Sequence, residues 1–366
     1  MLLRILISAL LVYLIVYMIV PYLRRLALNL DWLDVANSER KVHTDSIPLV
    51  GGPAMAIGIL IVMLVNLPGR PFATELLSTV LGGGGVLLIT GIVDDKVDLR
   101  PLIKLAIQAC CAYSLCIRGF YFDGVFEMIG MGGMPVYVQQ ALTFLFIIGV
   151  VNAYNLIDGI DGLAGTLFLA GFGWMGGAAL FLGHLDIALL CALSLAAVLA
   201  FLKYNTSSIN KIFMGDGGSL FLGFLLAGAS ISLLERGSAD VQAPFWLIGT
   251  CAVLALPILD ELRVFAERMA AGKSPLYADN SHIHHILMQI DPTHRLVRNW
   301  ILKIVFVVFL LAMVASYAMG MWGGVATILV CLFGLFALLQ MQRTMHQQRE
   351  ELRILERRKS AAASGK

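Results

Sequence analysis

At 366 residues the chain is long enough for two or three soluble domains, yet 59% of it is apolar, only 14% is charged, and the mean hydropathy is +0.85. That balance excludes an ordinary soluble globule and points to a protein that crosses a membrane many times. A net charge of +2 selects no class of partner, and no nucleic-acid partner is expected.

Apolar runs of about 17–25 residues are long enough to cross a ~30 Å hydrocarbon core as helices. Such runs lie near 2–20, 49–67, 76–93, 102–118, 137–151, 163–183, 185–203, 219–234, 243–259, 300–318 and 323–340. They predict an all-α polytopic integral membrane protein with about eleven transmembrane helices. Residues 1–340 form the membrane domain, and 341–366 form a basic cytoplasmic tail. An odd number of spans places the chain ends on opposite sides. With the C-terminus inside, the inner segments hold 22 of the 26 Lys and Arg residues, leaving Arg4, Arg70, Arg118 and Arg236 outside. The excess of positive charge on cytoplasmic loops then sets the orientation.

Taken in order, the first apolar segment has no small-residue cleavage pattern after it and is expected to be retained. Gly82 to Gly85, inside the third span, suit close helix contact or local flexibility equally. The connection 119–136 is rich in Gly and aromatics and is expected to form a small hairpin or a re-entrant segment. In the largest inner loop, 260–299, Asp260 to Ala271 has the period of a short amphipathic helix. Gly272 to Pro275 breaks it, and Ser281 is expected to cap a second helix carrying His282, His284 and His285. The tail from Arg343 to Lys359 reads as a basic helix on the anionic inner leaflet or as a plain solvated helix. All six cysteines fall in apolar runs without ligand spacing, so they are expected to pack and not to bind metal or pair.

The acidic residues carry the chemistry. Asp94, Asp95 and Asp98 follow the third span, Asp158 and Asp161 the fifth, and Asp216 lies between the seventh and eighth. Two spans separate each group from the next, so parity brings all three to the inner face, in a cleft made by cytoplasmic loops. Carboxylates gathered this way repel one another unless a cation sits among them, and oxygen donors suit Mg²⁺ completed by substrate phosphate. In Phe213 to Ser219 (FMGDGGS), glycines let backbone N–H groups approach an anion at the start of a span. The same residues also suit a tight turn with Asp and Ser as helix caps. The histidines fit hydrogen bonding to phosphate or sugar hydroxyls, a zinc site without a visible fourth ligand, or a structural role. Lys41, Lys104, Arg263 and Lys273 are either basic partners for phosphate or positive-inside anchors. Two other classes stay open at this point. DDKVD at 94–98 is literally the DDxxD of an intramembrane prenyltransferase, and an ion-coupled transporter would place ionisable groups deeper in its spans.

Read together, DDKVD at 94–98, NAYNLIDGIDG at 152–162, FMGDGGS at 213–219, HIHH at 282–285 and the segment from Arg40-Lys41-Val42-His43 to Gly52 resemble the polyprenyl-phosphate N-acetylhexosamine-1-phosphate transferases. The resemblance runs in order from about residue 30 to 290. Ile47-Pro48-Leu49-Val50-Gly51-Gly52 and His-Ile-His-His differ from the branch that transfers phospho-MurNAc-pentapeptide and are similar to the branch that transfers N-acetylglucosamine-1-phosphate. The resemblance implies Mg²⁺, with Mn²⁺ as an alternative, held by Asp216. It implies Phe213 stacked on uracil, with Asn155, Leu156, Asp158, Asp161 and, more loosely, Asn205 lining the nucleotide pocket. Asp94, Asp95 and Lys104 would lie near the lipid phosphate, and His282, His284 and His285 near the pyrophosphate or sugar. His43 and Arg263 complete the expected substrate contacts, and the four aspartates other than Asp216 join the histidines in the catalytic set. The implied partners are a polyprenyl phosphate acceptor, a UDP-N-acetylhexosamine donor and the bacterial inner membrane, with a homo-oligomer left open. The implied product initiates a lipid-linked surface polysaccharide.

Overall fold

The computed structural model describes residues 1–34, 46–66, 75–275 and 280–364. In chain order its helices are α1 (Leu2–Asn29), α2 (Gly51–Asn66), α3 (Glu75–Val97), α4 (Pro101–Ile117), α5 (Asp123–Met128) and α6 (Val136–Leu156). They continue with α7 (Leu163–Phe181), α8 (Leu185–Asn205), α9 (Gly215–Gly237), α10 (Ala243–Ala270), α11 (Ile283–Ile290) and α12 (His294–Ser364). Two short strands, β1 (Leu33–Asp34) and β2 (Ile47–Pro48), pair antiparallel with Leu33 opposite Pro48 and Asp34 opposite Ile47. Among the described residues, eight helices are long and apolar enough to cross a membrane, and α2 and α4 are apolar but shorter. Each apolar run of the sequence falls on one of these helices. α12 takes two, divided at Gly320, whose φ of 75° and ψ of −175° interrupt the helical run.

The bundle turns the soluble-protein rule outward. Leu3, Met18, Val65, Ile89, Phe306, Val314, Tyr317 and Phe333 are exposed, as expected of side chains that face lipid. α9 is the opposite case: every residue from Gly217 to Leu234 is buried. It is wrapped by α2, α3, α6, α7, α8 and α10. Helices in lipid gain little from burying apolar surface, so close packing through small residues has to hold them. A side chain at Gly91 of α3 would collide with the backbone of Asp216 and Gly217, and one at Gly52 of α2 with that of Gly218. Gly83 and Gly84 likewise admit Phe224, Phe221 and Leu225 of α9, whereas Gly82 and Gly85 face open space. Half of the glycine cluster therefore serves close contact.

Two expectations are corrected. The 119–136 connection is not a hairpin. It holds the six-residue α5, whose Val125 and Phe126, with the flanking Phe122, bury against the core. The amphipathic helix from Asp260 is not separate either, since α10 continues unbroken from its apolar run through Pro257 to Ala270.

Candidate active site

A backbone ladder sets the frame. The N–H of Phe213 donates to the Pro48 carbonyl, and the N–H groups of Gly51 and Gly52 donate to the carbonyls of Phe213 and Met214, each at 2.9 Å. The segment before α2 is thus hydrogen-bonded to the turn that opens α9. Gly215 takes φ of +73°, a left-handed conformation that favours glycine, and the next residue is Asp216.

The acids of α3 meet that turn at the helix end and not in a loop, because α3 stays helical through Val97. Asp95 Oδ1 accepts the N–H of Asp216 at 3.0 Å, so one helix caps another. Asp94 Oδ1 accepts the N–H of Leu99 at 2.7 Å, closing the end of α3. Lys104, one turn into α4, donates to Asp94 Oδ2 at 2.6 Å and to Asp216 Oδ2 at 3.1 Å. Its ammonium joins the DDKVD motif to Asp216, 112 residues further along the chain than Lys104 itself.

The turn 157–162 supplies the facing wall. Asn205 ties it down: its Oδ1 accepts the N–H of Gly162 at 2.6 Å, and its Nδ2 donates to the Ile212 carbonyl at 2.9 Å. Asn155 Nδ2 donates to Ser219 Oγ at 2.8 Å. Asp161 Oδ2 accepts from Lys211 Nζ at 2.6 Å and lies 3.2 Å from His294 Nδ1. Enclosure pulls the Asp161 carboxyl upward, but the bonds and charges of His294 and Lys211 outweigh it and hold the group below its ordinary value. Asp158 has no such relief. Enclosure first, then the charges of Asp216, Asp95 and Asp161, push it up to about 7. The Lys211 ammonium also sits 5.4 Å from the centre of the Phe213 ring.

The histidines divide. The α11 N-cap is His282 and not Ser281, and no side chain of its own caps the helix. The rings of His284 and His285 lie 4.0 Å apart between centres. His284 is fully buried, with neither ring nitrogen hydrogen-bonded, and its ring fills the space over Gly159. Burial, then the neighbouring His285, His282 and His294, hold its pKa well below the ordinary histidine value, so it is neutral.

These elements enclose a cavity of about 600 Å³. Of the expected site residues, Asp94, Asp95, Asn155, Asp158, Asp161, Asn205, Phe213, Asp216 and His285 line it. Lys104 reaches it through its two carboxylates. Leu156, His282, His284 and Arg263 do not line it. Arg263 is spent on Asp260, Glu267 and the Ser281 carbonyl, so a direct substrate contact does not fit its surroundings. Expected substrate residue His43, with Arg40, Lys41 and Arg70, lies outside the described residues. Sequence reasoning missed Lys211 and His294. Lys211 stands two residues before Phe213 in the same inner segment as the glycine turn, which was the available signal, whereas His294 had none.

Seven aspartates line the cavity, against Lys96 and Lys211, with Lys104 alongside. A diphosphate would add further negative charge, which a divalent cation among the carboxylates would offset. Among the described residues no three His, Cys, Asp or Glu side chains converge to hold a metal by themselves. The donors are oxygens and too few to close a shell, which fits a cation completed by water and phosphate, as Mg²⁺ is. Asp216, beside the open glycine turn, and Asp158, short of positive charge, are the residues that would hold it.

An apolar helical bundle with an acidic, phosphate-suited cleft at one end of its central helix defines a polytopic membrane protein built for phosphate chemistry. Residues 77–234 match glycosyl transferase family 4. The chain is 34% identical over 300 residues to the probable undecaprenyl-phosphate N-acetylglucosaminyl 1-phosphate transferase of Bacillus subtilis (strain 168), a match covering 80% of each chain. It is 36% identical over 286 residues to the decaprenyl-phosphate N-acetylglucosaminephosphotransferase of Mycolicibacterium smegmatis, covering 70% of this chain and 69% of that one. Over 284 residues it is 30% identical to the undecaprenyl-phosphate alpha-N-acetylglucosaminyl 1-phosphate transferase of Escherichia coli (strain K12), covering 75% and 74%. The chain belongs to glycosyl transferase family 4 and is a membrane sugar-phosphate transferase.

Proposed function

We propose that the protein transfers N-acetylglucosamine-1-phosphate from UDP-N-acetylglucosamine to undecaprenyl phosphate, on the cytoplasmic side of a bacterial inner membrane crossed eleven times. An oxygen of the lipid phosphate attacks the β-phosphorus of the donor. A P–O bond forms to the lipid, the bond from the β-phosphorus to the bridging oxygen breaks, and UMP leaves with that oxygen. The product is undecaprenyl-diphosphate-N-acetylglucosamine, which would start a lipid-linked surface polysaccharide.

The observation that carries the reading is one cavity that places an aromatic ring and an ammonium, Phe213 and Lys211, beside the acids of all three motifs. In this reading uracil stacks on Phe213. Lys211 and His294 face the donor phosphates, and His285 faces the sugar or pyrophosphate. Lys104 holds the acceptor phosphate. Mg²⁺ bound at Asp216 with phosphate oxygens would neutralise charge on the transferring group. The rest is positioning. A phosphate monoester with second pKa ~6 is already largely dianionic at neutral pH and needs no strong base. The contacts of Asp94 with Lys104 and of Asp95 with the α9 backbone support orienting roles for both. They also keep DDKVD from acting as a free diphosphate clamp, which counts against prenyl transfer.

Purified protein incubated with radiolabelled UDP-sugars and undecaprenyl phosphate tests the proposal. UMP and a labelled lipid diphosphate should appear only with Mg²⁺ or Mn²⁺, and fastest with UDP-N-acetylglucosamine. Preference for another UDP-N-acetylhexosamine or for UDP-MurNAc-pentapeptide would correct the substrate. Release of inorganic diphosphate in place of UMP would overturn the reaction.

A further inference from the structure

Away from the acidic turns, a second set of buried charges lies where α10 meets α11. Asp260 is 2% exposed, and both of its oxygens are engaged. Oδ1 accepts from Arg263 Nε and Nη2 at 3.3 and 2.7 Å. The Ile283 N–H lies 3.2 Å from Oδ1 and 3.1 Å from Oδ2. His282 Nδ1 is 3.0 Å from Oδ2. Arg263 closes the ring by donating from Nη2 to the Ser281 carbonyl and from Nη1 to Glu267, each at 2.6 Å. None of Asp260, Arg263 and His282 lines the cavity, while His285 does.

The start of α11 needs a partner. First-turn N–H groups have no acceptor within a helix, and α11 has no side-chain cap of its own. The carboxylate of Asp260 fills that place from another helix, 23 residues earlier. Because α10 is anchored in the bundle, this contact fixes where α11 begins as well as capping it. A carboxylate at Nδ1 also selects the Nδ1–H form of His282 and its ring orientation. Within the next turn His284 packs on Gly159, between Asp158 and Asp161, and His285 reaches the cavity wall.

We propose that Asp260 is a positioning residue for the transfer reaction. It holds the start of α11 so that His285 faces the cleft and His284 backs the turn carrying Asp158 and Asp161. The kinetic part of this inference rests on the proposed function, and the structural part does not.

Asp260→Asn keeps the shape and an acceptor for the Ile283 N–H but removes the charge that pairs with Arg263 and His282. Hydrogen–deuterium exchange on the purified protein in detergent needs no substrate. It should show faster exchange over 283–290 and unchanged exchange over α9. In the UMP assay kcat should fall about 10- to 100-fold, the range typical of partners that orient site residues. KM for the donor should change by less than about threefold, since the lost contact is not with the donor. Combined with His285→Ala, the two losses should be clearly less than multiplicative, because part of the Asp260 effect passes through that side chain and the rest through His284. Unchanged exchange over 283–290, or losses that multiply, overturns the inference. Unaltered protein that makes no UMP overturns the proposed function instead. UMP formation with Asp260→Asn equal to the unaltered protein in both measurements overturns this inference alone. If Asp260→Asn is not recovered folded, Arg263→Lys gives up the fork to Ser281 and should move both readouts in the same direction. Unchanged exchange and turnover in that variant overturn the inference too.

Discussion

The two ends of α9 treat their carboxylates in opposite ways. At the Gly237 end, Arg236 Nη1 lies 2.9 Å from both oxygens of Asp186, and Glu235 accepts the N–H groups of Asp123 and Gly124. Acid and donor are matched locally. At the Asp216 end, seven aspartates share one cavity and Lys104 is divided between two of them. The same helix has matched acids at one end and acids short of positive charge at the end where phosphate chemistry is proposed. The deficit is thus local to the cleft.

The largest effect should come from removing charge at the deficient end. Asp216→Asn keeps size, so turnover should fall by about 10²- to 10³-fold or more, the scale of losing one electrostatic stabiliser of the transition state. Thermal unfolding should stay unchanged. Full turnover across a Mg²⁺ titration would reduce Asp216 to a helix cap. Next comes Phe213→Ala. Direct binding of UDP-N-acetylglucosamine should weaken by roughly 1–3 kcal/mol if the ring stacks on the base. An unchanged Kd would remove Phe213 from the nucleotide pocket.

The third expectation is a pH effect. Without cation, Asp158 holds its proton up to about 7 in the folded protein. The unfolded chain releases it near the ordinary carboxylate value of about 4, so the contribution of Asp158 to stability falls as pH rises between the two. A cation bound by the ionised carboxylate offsets that loss. Added Mg²⁺ should therefore raise Tm more at pH 8 than at pH 6, and the difference should shrink in Asp158→Asn. Equal shifts at both pH values would show that the cation does not engage Asp158. The smallest effect on activity belongs to the matched end. Asp186→Asn should cost about 1 kcal/mol, between the values for surface and buried pairs, while the folded fraction keeps its turnover. A loss of kcat there would mean that the two ends are coupled.

Much of this was legible in one dimension. Apolar runs located the helices, and parity gathered Asp94, Asp158 and Asp216 at one end of the bundle. Parity assigns an end but not the direction a side chain takes. Arg263 therefore looked like a phosphate partner, although it turns inward to Asp260, and three histidines were given one role although only His285 of them lines the cavity. The Asp260–Ile283 cap and the Lys104–Asp216 bridge were invisible because they join residues whose separation carries no periodicity. Helix limits slipped for a related reason. Backbone hydrogen bonds continue past the end of an apolar run, so α3 carries Asp94 and Asp95 on its last turns and α10 runs on to Ala270.

The complete enclosure of α9 has a consequence for biosynthesis. Its neighbours α2, α3, α6, α7 and α8 are all made before it, and only α10 of its larger contacts is made after. As α9 leaves the ribosome, the walls of its slot already exist, and the helix need not spend time surrounded by lipid. A bulky residue at Gly91 or Gly52 would close that slot before the helix arrived. The newly made chain would then display Asp216 and its glycines outside the bundle, where membrane proteases act, so such a defect should be read first as low abundance.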